Sequence, residues 1–390
     1  MKKYSFFAQW FLSLATFFIV TANCLSEDAA PPASPEVTAA LQPYLDSYKM
    51  AGIIGIVADR SGKIRYRNLL GYADVETRRP ISENNVFWIA SMSKMFVGAS
   101  IMMLVDEGKV GLDDPVTNYI PELARWMVLT DSNEDLLLLK PLVRPVTLRH
   151  LLSHTSGLTA LSELQRTVGA DRAPLKFRAL SSVTGPLQSQ PGDKYAYGNQ
   201  GMNIAARVVE IVSGMPYEEF IQERFFDPLG MTETTFWPDK AEIARLAGAY
   251  GPNQETNGFA LGRIEFLTKP YDDRVHRFPE AAGGLFSTTH DVLRYGVMLA
   301  NDGEVDGKRY LSHAAMDELR KEQTGTTKVN YSLGYHLRNG MFGHDGAYGT
   351  DLSVNPKTGM IAIFMVQCTS GDQWAARDQF LKTATQIFQP

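Results

Sequence analysis

Apolar and polar positions alternate in blocks along the chain, and the blocks change character between its ends and its middle. Near the start, "AGIIGIVADRSGKIRYRNLLGYAD" reads as two β-runs around a turn at Asp59 to Lys63. Near the end, "DLSVNPKTGMIAIFMVQC" gives a strand, a turn at Asn355 to Gly359, and an apolar strand from Met360 to Gln367. The last segment, Gln373 to Phe388, places Trp374, Phe380, Leu381 and Ile387 at helical spacing. Between these ends the pattern turns helical. "SKMFVGASIMMLVDEGKV" predicts a long apolar helix ending near Gly108, and "TLRHLLSHTSGL" a shorter one closing at Gly157. "MNIAARVVEIVSGM" closes at Gly214, and "TTHDVLRYGVMLANDG" has Thr288 or Thr289 as N-cap before Asp291. The expectation is an α+β fold with an antiparallel sheet from both chain ends, about 38–90 and 330–390, and a mainly helical insertion at about 91–329.

The N-terminal stretch follows a different plan. Lys2 and Lys3 precede an almost wholly apolar run from Phe6 to Val20, with a cleavage point after Ala22. Residues 1–22 read as a secretory signal peptide, too short in its apolar run for a membrane anchor. The mature protein is therefore expected outside the cytoplasm, secreted or periplasmic, with no stable membrane span. Residues 23–37, rich in Ala, Pro and acidic side chains, read as a flexible leader, and residues 38–390 as one domain. Of the two cysteines, Cys24 falls in that leader and Cys368 near the far end. A single pair cannot staple a chain of this size, so stability rests on the core.

Composition changes this picture little. With 390 residues, 44% of them hydrophobic, there is ample material for a core, and a net charge of -5 without any basic block excludes a nucleic-acid footprint.

Chemistry enters at Ser91-Met92-Ser93-Lys94. S-x-x-K at a helix start puts the hydroxyl and the amine one turn apart on one face. The serine is a weak nucleophile until a base takes its proton, and a lysine can do so once desolvation lowers its pKa. By itself the spacing is weak, since an N-capping serine beside a solvated lysine gives the same letters. Two further stretches join it. Tyr197-Gly198-Asn199 in "PGDKYAYGNQGM" offers a phenol to relay a proton and an amide to bind a substrate carbonyl or orient Lys94. His344-Asp345-Gly346 in "FGHDGAYGTDLSV" reads as a strand with His344 and Gly346 on one side and Asp345 on the other. Gly346 lets a substrate backbone come close, and the Ala347 N–H is placed to join that of Ser91 as an oxyanion hole.

With these motifs in order, together with "FWIASMSKMF", "LLSHTSGL", "PLGM" and "AAGGLFSTTHDVLRYG", the chain resembles the serine β-lactamase-like family from about Pro35 to Phe388. The nearest branch holds class C β-lactamases, D-alanyl-D-alanine carboxypeptidases, D-aminopeptidases and family VIII carboxylesterases. The resemblance implies a β-lactamase/transpeptidase-like fold and an acyl-enzyme formed on Ser91. It further implies that Lys94 and Tyr197 move protons, that Asn199 and His344 line the pocket, and that neither a cofactor nor a metal is needed. Which of Lys94 and Tyr197 deprotonates Ser91 stays open.

Lys357-Thr358-Gly359 spells the K-T-G of the family's β-lactamases. By the same resemblance, however, Asn355 to Gly359 is the Asn-Pro-x-x-Gly turn that follows the third motif, which makes His344-Asp345-Gly346 that motif and Lys357 a decoy. Tyr66-Arg67-Asn68 is a second decoy, preceding the nucleophile. His154 is expected to be structural, and Gly283-Gly284 to let a loop pass near the site. Neither G-x-S-x-G nor H-E-x-x-H occurs. Histidine in place of the motif lysine removes a fixed positive charge for a substrate carboxylate. The expectation is a hydrolase of small esters or amides. A D-Ala-D-Ala carboxypeptidase or weak β-lactamase, and a slowly acylated sensor, are the alternatives.

Overall fold

Strand β1 (Gly52–Ala58) is buried along its whole length, and its alternating side chains feed two different cores. Ile54 and Ile56 join the core that holds the helical insertion, while Ile53 and Val57 join a second core on the opposite face. The strand Met360–Met365 divides in the same way: Ile361, Ile363 and Met365 face one core, and Met360, Ala362 and Phe364 the other. These two strands pair antiparallel, Ile56 opposite Ile363, so the two chain ends meet at the centre of the sheet.

In the computed structural model, which describes residues 30–133, 136–253, 255–256 and 258–389, residues 31–390 form one unit. The sheet continues from β1 to β2 (Ile64–Asp74) and β3 (Arg79–Pro80) on one side. On the other side run, in chain order, β4 (His336–Arg338), β5 (Met341–Asp345), β6 (Asp351–Asn355) and β7 (Met360–Met365). The seven strands are antiparallel in the order β4-β5-β6-β7-β1-β2-β3. The expected α+β architecture is what the chain adopts.

Helices α1 (Pro35–Asp46) and, at the far end of the chain, Gln373–Ile387 cover one face. Gly55 permits this packing, because a Cβ there would stand 2.9 Å from the Phe380 ring. The other face is covered by the insertion, led by α2 (Ser93–Asp106), in which every residue from Ser93 to Leu104 is buried. A helix apolar all round is stable only when surrounded. Gly98 completes the fit, since a Cβ there would overlap the Leu333 carbonyl oxygen at 1.9 Å. Two further helices, α3 (Gln200–Ser213) and α4 (Thr289–Ala300), flank it; Gly214 closes α3 at φ 73°, and the Thr288 hydroxyl caps α4 on the Asp291 N–H at 3.4 Å.

Several expectations are corrected. The leader expected to reach residue 37 ends sooner: Ser34 is buried as the N-cap of α1, and Val37 is already core. Residues 38–46, expected in the sheet region, are helical. The helix expected to close at Gly157 spans only Leu148–Leu152, and His154 itself takes a left-handed φ of 59°. Cys368 is buried and free. The stretch expected to be a signal peptide, with Cys24, lies outside the described residues, and no described helix is long and apolar enough to cross a membrane.

Candidate active site

Ser91 lies on a 3-10 turn, Ala90–Met92, just ahead of α2. Ala90 enters that turn at φ 46°, a conformation that costs a non-glycine residue on the order of 1 kcal/mol and persists only where neighbours impose it. The neighbours are on hand. The Ile89 N–H donates to Leu285 O (3.0 Å), and the Ser93 hydroxyl donates to Ala90 O (2.6 Å). Trp88 Nε1–H donates to Gly283 O (2.7 Å), and Gln367 Nε2 donates to Trp88 O (2.9 Å).

One turn on, Lys94 is 0% exposed. Its Nζ lies 2.9 Å from Ser91 Oγ, 2.9 Å from Asn199 Oδ1 and 2.8 Å from Ala282 O. Burial drives its pKa down to about 7, opposed by the negative charges of Glu280 and Asp345. The partner set then dictates the neutral amine's orientation. Asn199 Oδ1 and Ala282 O only accept, so they take its two N–H groups and leave the lone pair toward the Ser91 hydroxyl. Asn199 thus orients Lys94. Beneath them Glu280 accepts from Asn203 Nδ2 (2.9 Å) and pairs with Arg178, both side chains fully buried.

Tyr197 reaches the same point from the loop before α3. Gly198 lies so close to Ala160 that a Cβ would stand 2.6 Å from its Cα, and Ala196 N–H donates to His154 O (2.8 Å). The Tyr197 ring centre is 4.8 Å from Lys94 Nζ and 4.6 Å from the His154 ring. Although the residue is 40% exposed, burial around its hydroxyl raises its pKa above the ordinary phenol value, against a hydrogen bond with Ser91 that lowers it. Tyr197 is therefore protonated at neutral pH.

The third motif departs from expectation in two ways. His344 is 0% exposed and does not line the cleft. Its Nδ1 lies 2.6 Å from its neighbour's carbonyl, Asp345 O, and its Nε2 lies 3.0 Å from the Tyr331 hydroxyl. Gly346 admits the protein's own backbone rather than a substrate's: a Cβ would stand 2.4 Å from Ile89 O and 2.2 Å from Thr350 Oγ1. That contact docks the end of β5 on the Ser91 turn and leaves Ala347 exposed beside it. The Asp345 carboxylate is held by Arg338 (2.7 Å), Arg377 and His336 (3.3 Å).

Lys357 sits exposed on the turn between β6 and β7, where its N–H donates to Asn355 Oδ1 (3.0 Å). Asn68 is buried and ties β2 to the start of α1 through Ser34 O (2.9 Å) and Thr38 Oγ1 (2.8 Å). His336, His344 and Asp345 offer ligand atoms within 4.8 Å of one another. This donor set does not fit a cation, because two guanidiniums already hold Asp345 and both His344 nitrogens are engaged. Glu280, Tyr331, His336, Arg338 and Arg377 escaped sequence reasoning, since no motif spacing links them to Ser91.

Comparison with known proteins gives the family and the fold. The family model described as Beta-lactamase matches residues 37–386. Esterase EstB of Burkholderia gladioli is 30% identical over 342 residues, covering 80% of this chain and 81% of that protein. Lovastatin esterase of Penicillium rubens is 32% identical over 295 residues, covering 73% and 72%. The solved structure of EstCE1, described as a hydrolase with promiscuous acyltransferase activity, is similar in fold, with a TM-score of 0.74 at 20% identity over 90% of this chain and 97% of its own.

Proposed function

The chain belongs to the beta-lactamase family, and from that premise we propose that it is an exported serine hydrolase forming an acyl-enzyme on Ser91 with small uncharged esters. The observation that carries the reading is Lys94 Nζ standing 2.9 Å from Ser91 Oγ in a site where burial brings the amine near pKa 7.

The geometry supports the following steps. Lys94 takes the Ser91 proton as Oγ attacks the ester carbonyl, and the carbonyl electrons become an oxyanion facing the Ser91 and Ala347 amides. Tyr197, protonated and near Ser91, is suited to deliver a proton to the leaving alcohol, not to act as first base. As the C–O bond breaks, that proton is replaced from Lys94. Water then attacks the acyl-enzyme by the reverse route, giving its proton back through Tyr197 and Lys94 to Ser91.

Preference for uncharged esters is supported by the cations near the third motif. Arg338 is held by Asp345 and Asp351, Arg377 by Asp345 and Asp378, and burial keeps His344 neutral. None of these offers a free charge to a substrate carboxylate, as a D-Ala-D-Ala peptide or β-lactam requires. The relatives named as esterases support the same choice. The test compares a p-nitrophenyl butanoate, nitrocefin and a D-Ala-D-Ala peptide side by side, with N-terminal sequencing of the exported protein to locate the cleavage after Ala22. Ester turnover exceeding both others is the expected result, and turnover of the peptide or nitrocefin alone overturns it. Stoichiometric labelling of Ser91 without steady-state product favours the sensor instead.

A further inference from the structure

The Tyr331 hydroxyl is fully buried between two histidines, 3.1 Å from His154 Nε2 and 3.0 Å from His344 Nε2. The protons in this row can be assigned. His344 Nδ1 faces a backbone carbonyl, Asp345 O at 2.6 Å, which only accepts, so Nδ1 carries the hydrogen. Burial holds both imidazoles neutral, well below the usual histidine range. A neutral ring protonated at Nδ1 has a bare Nε2, and the Tyr331 O–H must therefore donate to it. The phenol has one proton, so its oxygen accepts from His154 Nε2–H. The row runs in one direction: His154 N–H to Tyr331 O–H to His344, and on to the Asp345 carbonyl.

Its end point matters. The Asp345–Gly346 peptide is held at its oxygen by His344 and at its nitrogen, Gly346 N–H, by Thr350 O (2.7 Å). One peptide further, Gly346 O accepts from Gly349 N–H (2.8 Å), and Ala347 O accepts from Gln373 Nε2 (3.2 Å). The N–H and C=O of a trans peptide point in opposite directions, so fixing Gly346 O also aims the Ala347 N–H. At the other end of the row, His154 packs its ring on Tyr197 and holds Ala196 N–H through its own carbonyl.

We propose that Tyr331 is a positioning residue whose hydroxyl, through His154 and His344, locks the Tyr197 loop and the Ala347 amide into one rigid frame around Ser91. The kinetic consequence rests on the hydrolase reading above, whereas the direction of the hydrogen-bond row does not.

Two experiments test it. Nitrogen-15 NMR of histidine-labelled wild-type protein is expected to show His344 as the Nδ1–H tautomer and His154 as the Nε2–H tautomer, both neutral at pH 7. Either one in the opposite tautomer overturns the row, while leaving Ser91 turnover unaffected. In kinetics, Tyr331→Phe is expected to lower kcat on ester between about tenfold and a hundredfold with KM within a few-fold, the signature of misplaced groups rather than lost binding. His154→Gln keeps an N–H toward Tyr331 and should retain most of kcat; His154→Leu should fall as Tyr331→Phe does. These two variants carry the test if Tyr331→Phe does not fold. Unchanged kcat in folded Tyr331→Phe, or equal rates in the two His154 variants, defeats the positioning role. Full turnover in Ser91→Ala would instead defeat the hydrolase reading and leave the histidine spectrum intact.

Discussion

Lys94 Nζ lies 2.9 Å from Ser91 Oγ, with its other two polar contacts spent on acceptors, Asn199 Oδ1 and Ala282 O. The amine can take the serine proton only when it is itself neutral. Because burial brings its pKa to about 7, kcat/KM for a neutral ester should rise with pH through an acid limb centred near 7. Lys94→Arg, which stays charged at every working pH, should lower kcat by about 10²–10⁴-fold. A pH–rate profile of wild type and variant checks both.

Glu280 is the first of the two charges that hold the Lys94 pKa up. In Glu280→Gln the amine should lose its proton more readily, moving the acid limb to lower pH. The same change leaves Arg178 buried without its carboxylate, at a cost of about 3–5 kcal/mol. A shifted profile together with a lowered Tm is the expected pair of results.

Asp351 and Asp345 respond to pH in opposite senses. Burial pushes the Asp351 carboxyl up to about 6 from 3.8, against the pull of Arg338 and Arg377. The folded chain thus keeps a proton that the unfolded chain releases, and stability should fall as pH rises from 3.8 to about 6. Burial alone would raise the Asp345 carboxyl, yet its hydrogen bond with His336 and the charge of Arg338 outweigh burial and hold it well below the usual carboxylate range. Its contribution is present above pH 3.8 and lost as pH falls through its lowered pKa. Denaturant midpoints measured across the window should lose the first slope in Asp351→Asn and keep the second.

Lys357→Ala should leave ester turnover within a few-fold of wild type. The side chain is exposed on the β6–β7 turn, where Asn355 Oδ1 and the left-handed Gly359 (φ 77°) set the geometry. Steady-state kinetics on the same ester decides it, and a collapse of the rate would return the third-motif role to Lys357-Thr358-Gly359.

The elements were legible where one periodicity extended over many residues, as in β1, β7 and α2. The end of the helix at Leu152 was not, because the turn there is made by His154 in a left-handed conformation, which its residue type does not announce. Ser91 and Lys94 were visible because one helical turn fixes their separation. His344 and Gly346 were placed in the correct strand, yet their roles depend on what packs behind that strand. A buried Tyr331 and a docked Ile89 carbonyl are tertiary facts with no local spacing. The same holds for Glu280, which acts on Lys94 across 186 positions of sequence only because α3 and the 280–285 loop meet at the base of α2.

The most direct measurement is mass spectrometry of the protein after rapid acid quench during turnover of a p-nitrophenyl ester, followed by peptide mapping. The account predicts a single acyl group on Ser91, absent from Ser91→Ala along with all turnover. An acyl group on any other residue, or undiminished hydrolysis by Ser91→Ala, contradicts it.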